Sequence, residues 1–234
     1  RTIGAGLNEV EASEPVYLEE AGGIGMFGVS YMAECIPATA TEPGIFRWDD
    51  LDYIERRIQE VKSKCRWCIV VSHGGEEFTS LPSPYTRDRY LKFLEMGADV
   101  VVGHHPHVPE NYELFDDGKA IFYSLGNFIF QTETVSHQPA DAYTNKSMPH
   151  DTFVGAYMNQ RSADGTRGYC VLENIWRSVM AAFTAEDGKV TQIQLYPIDM
   201  QMGAPRSKMG IPHLAENDDV LKYLAEISEP FGTK

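Results

Sequence analysis

VVVGHHPHVPE, residues 100–110, carries three valines into a glycine and then sets three of the chain's seven histidines within four positions. An unbroken β-branched run leaves no face for water, so it reads as a strand buried on both sides. Just ahead of it, SPYTRDRYLKFLEMG (83–97) predicts a helix. Pro84 suits the first turn, Tyr90, Leu91 and Leu94 form an apolar stripe, and Gly97 ends it. Further back, Leu51, Ile54, Ile58 and Val61 recur at helical spacing, with Asp49, Asp50 and Asp52 at the amino end and Lys62 and Lys64 at the carboxyl end. That helix feeds a second apolar strand, CIVVS (68–72). Alternation of helix and buried strand is the pattern of a sheet covered on both faces, and such strands deliver functional residues at their carboxyl ends.

Outward from this centre, PVYL (15–18) and GIGMFGV (23–29) predict a hairpin turning at Gly22 and Gly23. NYELF and AIFYSL flank the turn signal DDGK (116–119) and predict another. The interval 131–150 has no periodicity and is expected to be a surface loop or lid. GYCVLENIW (168–176), SVMAAFTA (178–185) and VTQIQLYPI (190–198) read as strands, the last two joined at EDGK, and NDDVLKYLAEIS (217–228) as a terminal amphipathic helix. The C-terminal strands are expected to complete a second sheet of one domain spanning 1–234.

A hydrophobic content of 43% describes an ordinary globular core, and a formal charge of −14 argues against a nucleic-acid or anionic-membrane surface. A small anionic substrate is compatible with that charge where a metal supplies positive charge locally. No apolar run approaches the roughly 20 residues of a membrane span, and the start at Arg1 lacks a signal-peptide pattern. Cys65 and Cys68 form a CxxC without a second pair, which reads as small buried side chains.

Histidines supply the candidate chemistry. His73 in IVVSHGGEEF ends one buried strand, and GHHPH ends the next, so imidazoles gather at one rim. In extended backbone i and i+2 share a side, which pairs His105 with His107, and Pro106 is expected to bias His105 toward extended geometry. His104 should face elsewhere. Glu76 and Glu77 follow His73 closely enough to be a ligand, an imidazole partner or a general base, and Asn127 in YSLGNF could bind a phosphate oxygen or cap a turn. His137, His150 and His213 fall in loops without partners at ligand spacing and read as surface residues.

The ordered series SHGGEE, Pro82, GADVVVGHHPHV and GKAIFYSLGNF resembles the HWGxE, GAD, GHHPH and YSLGNF segments of the CapA family, the bacterial capsule and poly-gamma-glutamate synthesis proteins of the calcineurin-like metallophosphoesterase superfamily. IGAGLN and ISEPFGT are similar to its weaker flanking signatures. The resemblance implies a metallophosphoesterase-like four-layer α/β/β/α sandwich with mixed sheets and a two-metal site on strand-end loops. It assigns His73, His105 and His107 as metal ligands and Glu77, Asn127 and His104 as catalytic candidates, His104 standing where simpler members carry glycine and Gly74 where the family carries tryptophan. The superfamily's early Asp-x-His, Gly-Asp and Asn-His segments are not found in these residues, so the chain is read as N-terminally truncated, lacking the first strands. Two divalent ions, manganese, iron or zinc, belong to the complete site, and weak binding of one is expected here. The implied function is a metal-dependent, phosphoesterase-like hydrolase of capsule or poly-gamma-glutamate biosynthesis at the cell envelope or outside it. It would act on a phosphate ester or anionic polymer. The alternative is a non-catalytic polymer-binding accessory protein, and an exposed sheet edge predicts a homodimer.

Overall fold

The computed structural model describes residues 2–19, 23–31, 35–131, 135–186 and 189–233. In chain order the elements are β1 (Ala5–Gly6), α1 (Glu9–Ala12), β2 (Val16–Leu18), β3 (Ile24–Tyr31), β4 (Gly44–Ile45), α2 (Leu51–Lys64), β5 (Trp67–Gly74), α3 (Pro84–Glu95) and β6 (Val100–His104). Then follow β7 (Tyr112–Leu114), β8 (Ala120–Phe122), α4 (Ala140–Thr144), α5 (Val154–Ser162), β9 (Arg177–Glu186), β10 (Lys189–Asp199), β11 (His213–Leu214) and α6 (Asp219–Ser228). The helix and strand starts obey local chemistry. Asp50 accepts from the Tyr53 N–H to cap α2, and Ser83 accepts from the Thr86 N–H to cap α3, with Pro84 in the first turn.

A six-stranded mixed sheet runs β2-β3-β5-β6-β8-β7, its four inner strands parallel and its two outer strands antiparallel to their neighbours. Alternation along each inner strand explains why both faces are apolar. Phe27, Val29, Cys68, Val70, Val101 and Ile121 pack with Ile54, Ile58 and Val61 of α2 and Tyr90, Phe93 and Leu94 of α3. Ile69, Val100, Ala120 and Phe122 point the other way, against Ala181, Phe183, Ile193 and Leu195 of the second sheet. That second sheet, β11-β10-β9, is wholly antiparallel, and α6 borders it through Val220 and Leu224 on Val179. A helix layer, the mixed sheet and the second sheet therefore follow in order, with α6 packed at the end of the inter-sheet layer against Val179, Leu195 and Tyr112. The CxxC reading holds in the packing: Cys68 is buried, its thiol pushed up to about 12 by burial, and half-buried Cys65 lies against the same core.

Asp99 links helix to sheet at the foot of β6. Its carboxylate accepts from Lys62 Nζ of α2 at 2.8 Å and from the Cys68 N–H at 2.7 Å, so a buried carboxyl is paired rather than orphaned.

Two expectations fail for identifiable reasons. Residues 168–176 are not a strand but two 3₁₀ turns, Gly168–Val171 and Glu173–Trp176. Gly168 has φ 74°, and Ile175 and Trp176 bury adjacent side chains against Val108 and Met200, which an alternating strand cannot do. The interval 131–150 holds the short helix α4, and α5 follows where no element was expected. Both helices close over a small cluster of their own, Tyr143, Tyr157 and Met158, instead of presenting a stripe to the main core. The turn of the first hairpin lies partly outside the described residues, at Gly22, and so does part of the EDGK turn, at 187–188.

Candidate metal centre

Parallel pairing places the histidines. Register aligns Val71 with Val102 and His73 with His104, so β5 and β6 end together and release their loops at one rim. On its other side Gly103 lets the end of β8 approach β6, since a Cβ there would meet the Tyr123 carbonyl oxygen at 1.9 Å. Beyond His104 the backbone does not stay extended. His105 and His107 both adopt positive φ, 107° and 61°, which overturns the expectation that Pro106 holds His105 extended. Each such non-glycine conformation costs about 1–3 kcal/mol and persists only where surroundings impose it. Here the Phe78 N–H donates to the Pro106 carbonyl at 2.9 Å, and Asn127 Nδ2 donates to the His107 carbonyl at 3.1 Å. The two imidazoles converge because of this curled loop, not because of strand alternation.

Glu77 joins them. Donor atoms of Glu77, His105 and His107 lie within 4.8 Å of one another. His73 lies alongside, its ring centroid 5.3 Å from that of His105, and His105 is 6.0 Å from His107. His73, His104, His105, His107 and Asn127 line one depression of about 450 Å³ whose opposite wall is Phe128, Val179, Met180 and Ala181. A larger depression of about 750 Å³, bordered by Arg177, Asp199, His213 and Glu216, gathers no comparable donor set among the described residues. Volume alone is a poorer guide than convergent chemistry.

Asn127 orients His107. Its amide nitrogen donates to two carbonyls, those of His107 and Ile175, at 3.1 and 3.2 Å. Its oxygen must then be the atom that faces His107 Nδ1, at 2.8 Å. An amide oxygen only accepts, so Nδ1 carries a proton, and in the neutral ring Nε2 is the nitrogen that keeps a lone pair. That Nε2 is the atom turned toward Glu77 Oε1, 4.0 Å away. A neutral imidazole held in this tautomer by a hydrogen bond on its far nitrogen is the arrangement metal-binding histidines use. Phe78 stacks against the same ring with centroids 6.1 Å apart.

His73 and His104 favour neutrality. Although His73 remains accessible at the rim, loss of solvation first and the neighbouring imidazoles second push it down to about 4. Burial lowers His104 as well. Clustered imidazole nitrogens beside one carboxylate fit a divalent ion with nitrogen and oxygen ligands, in number and in softness. Glu77, expected among the catalytic groups, thus stands with the donors. Asn127 stands behind a donor, and His104, expected to face elsewhere, lines the same depression because parallel register sets it beside His73. Of the remaining histidines, His150 Nε2 lies 2.9 Å from Thr144 Oγ1, and His213 lies exposed on β11.

Sequence reasoning passed over Phe78, Thr79 and Glu110. Glu110 is 3% exposed and its carboxyl lies 3.0 Å from Thr79 Oγ1, with burial pushing its pKa up to about 8. Nothing in the local sequence marks it, because burial of this residue depends on β8 and the 75–83 loop closing over it.

Residues 1–132 match the family described as bacterial capsule synthesis protein PGA_cap. All six candidate site residues lie within that range. The chain is 32% identical over 131 residues to the PGA biosynthesis protein CapA of Bacillus subtilis (strain 168), covering 55% of this chain and 34% of that protein. It is 33% identical over 135 residues to the capsule biosynthesis protein CapA of Bacillus anthracis, covering 55% and 32%. An uncharacterized protein y4sH of Sinorhizobium fredii (strain NBRC 101917 / NGR234) is 29% identical over 199 residues, 79% of this chain and 42% of that one. The chain therefore spans between 32% and 42% of the length of these relatives. A solved structure described as a novel phosphatase of Mycoplasma pneumoniae superposes with TM-score 0.45 at 14% identity, covering 81% of this chain and 58% of that one.

Proposed function

The chain belongs to the bacterial capsule synthesis protein family PGA_cap, and on that premise we propose that its histidine cluster holds a divalent metal ion for phosphoesterase-like hydrolysis in capsule or poly-gamma-glutamate biosynthesis. The observation that carries this reading is the amide of Asn127, which holds His107 with its Nε2 turned toward Glu77. His105, His107 and Glu77 would hold the ion, with His73 next to them. Among the described residues one donor group forms, so the reading assigns one ion, manganese, iron or zinc, to these residues. Such an ion, when bound, supplies Lewis acidity toward a phosphoryl oxygen and offsets its charge. The residues do the rest. Asn127 orients the His107 ring, Phe78 walls one side of it, and His73, neutral near physiological pH, offers a ring nitrogen at the rim.

The substrate class in this reading is a phosphate ester or an anionic polymer, brought to an otherwise acidic chain by the ion's charge. Capsule biosynthesis proteins among the relatives support a place at the cell envelope. Among the described residues no helix is long and apolar enough to cross a membrane. A second reading, a non-catalytic polymer-binding accessory protein, is favoured by the open depression in which the histidines lie, one part of it lined by Phe128, Val179, Met180 and Ala181.

Calorimetric titration with Mn²⁺ or Zn²⁺, alongside hydrolysis of para-nitrophenyl phosphate mono- and diesters, tests both. One ion should bind the unaltered chain, His107→Ala should abolish that binding, and Asn127→Leu should weaken it roughly 10–100-fold. Equal binding by the unaltered chain and His107→Ala would sink the metal reading. Binding without hydrolysis would select the accessory role.

A further inference from the structure

We propose that Glu110, acting through the hydroxyl of Thr79, is a positioning residue that holds the 75–83 loop so that Glu77 stays at the two histidines. The inference rests on the metal reading above. It starts from a mismatch: Glu77 is a candidate donor, yet its side chain is 45% exposed and lies 4.0 Å from His107 Nε2. A half-exposed carboxylate at that distance is placed mainly by the backbone that carries it.

That backbone is an irregular span between β5 and α3. Gly75 has φ 108° and Phe78 φ 63°, so it takes up none of the regular ladder hydrogen bonds that would hold a strand. Its ties are specific. The Phe78 N–H donates to the Pro106 carbonyl, which fastens it to the histidine loop itself. The Ser83 N–H donates to Glu76 Oε2 at 3.3 Å, which closes the loop onto its own far end. Thr79 reaches in the remaining direction, to the body of the domain, where its Oγ1 lies 3.0 Å from Glu110 Oε1 and 3.3 Å from the Glu76 carbonyl.

The anchor is rigid. The Glu110 N–H donates to the Ser124 carbonyl at 3.0 Å, and neighbouring Pro109 bridges Leu125, so Glu110 is stitched to the end of β8. A hydroxyl has one proton to give. Thr79 directs it to Glu110 Oε1, the shorter contact, with the Glu76 carbonyl 3.3 Å away. This chain of contacts ends on the residue directly before Glu77. Burying a carboxyl is costly, and an apolar core would not keep one here for packing alone.

Mn²⁺ affinity of the full chain, measured by calorimetry, decides the matter for Thr79→Val, Thr79→Ser, Glu77→Ala and the double variant Glu77→Ala with Thr79→Val. Thr79→Val should weaken binding about 10-fold, and Thr79→Ser, which keeps the hydroxyl, should restore it. In the Glu77→Ala background, Thr79→Val should add no further loss, because the loop then has no donor to place. A further loss of the same size in that background would make Thr79 merely structural and overturn the proposal. An unchanged affinity in Thr79→Val, with Glu77→Ala weakened, would overturn it too and leave the metal reading standing. If Glu77→Ala and His107→Ala both bind as the unaltered chain does, the metal reading itself falls and takes this inference with it. Thermal unfolding of each variant without metal separates misfolding from loss of placement.

Discussion

Glu110 shows how a single residue ties the site to the stability of the chain. Its carboxyl, 3% exposed, titrates at about 8, above the ordinary glutamate value of 4.5. The folded state therefore keeps this proton to higher pH than the unfolded chain does. Stability falls as pH rises through the window from about 4.5 to about 8, because the unfolded state binds fewer protons there. Glutamine can accept from or donate to Thr79 without a charge to bury. Glu110→Gln should accordingly be more stable than the parent by ~1–3 kcal/mol at pH 8.5, several degrees in Tm, with the difference shrinking toward pH 5. Thermal scans at the two pH values check this, and an equal difference at both would contradict the sign. At this scale the sequence is a partial guide. Two adjacent strands ending in histidines point to a shared rim, but the positive φ at His105 and His107 and the turn of Glu77 toward them arise from contacts with Phe78 and Asn127.

Elements carry the site because they are rigid where it needs them to be. α2 and α3 cover one face of the mixed sheet, and Ile58, fully buried among Val61, Phe93 and Ala98, sits in the centre of that layer. Ile58→Ala should cost about 2–5 kcal/mol, lost methylenes plus the cavity they leave. Denaturant unfolding should show this as a lower midpoint with unchanged slope. Both helices are legible from periodicity and caps alone, since each is amphipathic along its own length. Residues 168–176 mislead for the complementary reason. Their apolar content resembles a strand, but two adjacent side chains are buried together against Val108 and Met200, and only the loop's tertiary neighbours make a 3₁₀ turn the better solution.

At the level of the whole molecule, the sheet edges differ in how they are closed. β7 is covered by the C-terminal segment, where Ser228 and Thr233 hydroxyls accept from the Tyr112 and Leu114 N–H groups. The far half of β3 is bridged at Ser30 by Arg47. β9 ends its sheet, and the Val179 N–H, bonded to the Leu125 carbonyl, shows that the groups of Val179, Ala181 and Phe183 point away from β10. Between Arg177 and Glu186 this strand carries no charge, the usual protection of an edge. Concentration-dependent self-association through β9 is the expected outcome, and sedimentation should find Ala181→Pro, which removes an outward N–H, more monomeric than the parent. A parent that stays monomeric at high concentration would refute it. The sequence by itself determined the alternating helices and buried strands, the rim to which the histidines belong, and the family, because these are encoded in local periodicity and in ordered short motifs. Tertiary structure alone decided which nitrogen of His107 faces Glu77, that Glu77 stands with the donors, that Glu110 is buried beneath its loop, and which strands end their sheets. Each of these depends on groups far apart in the chain meeting at distances near 3 Å, and no local pattern records such a meeting.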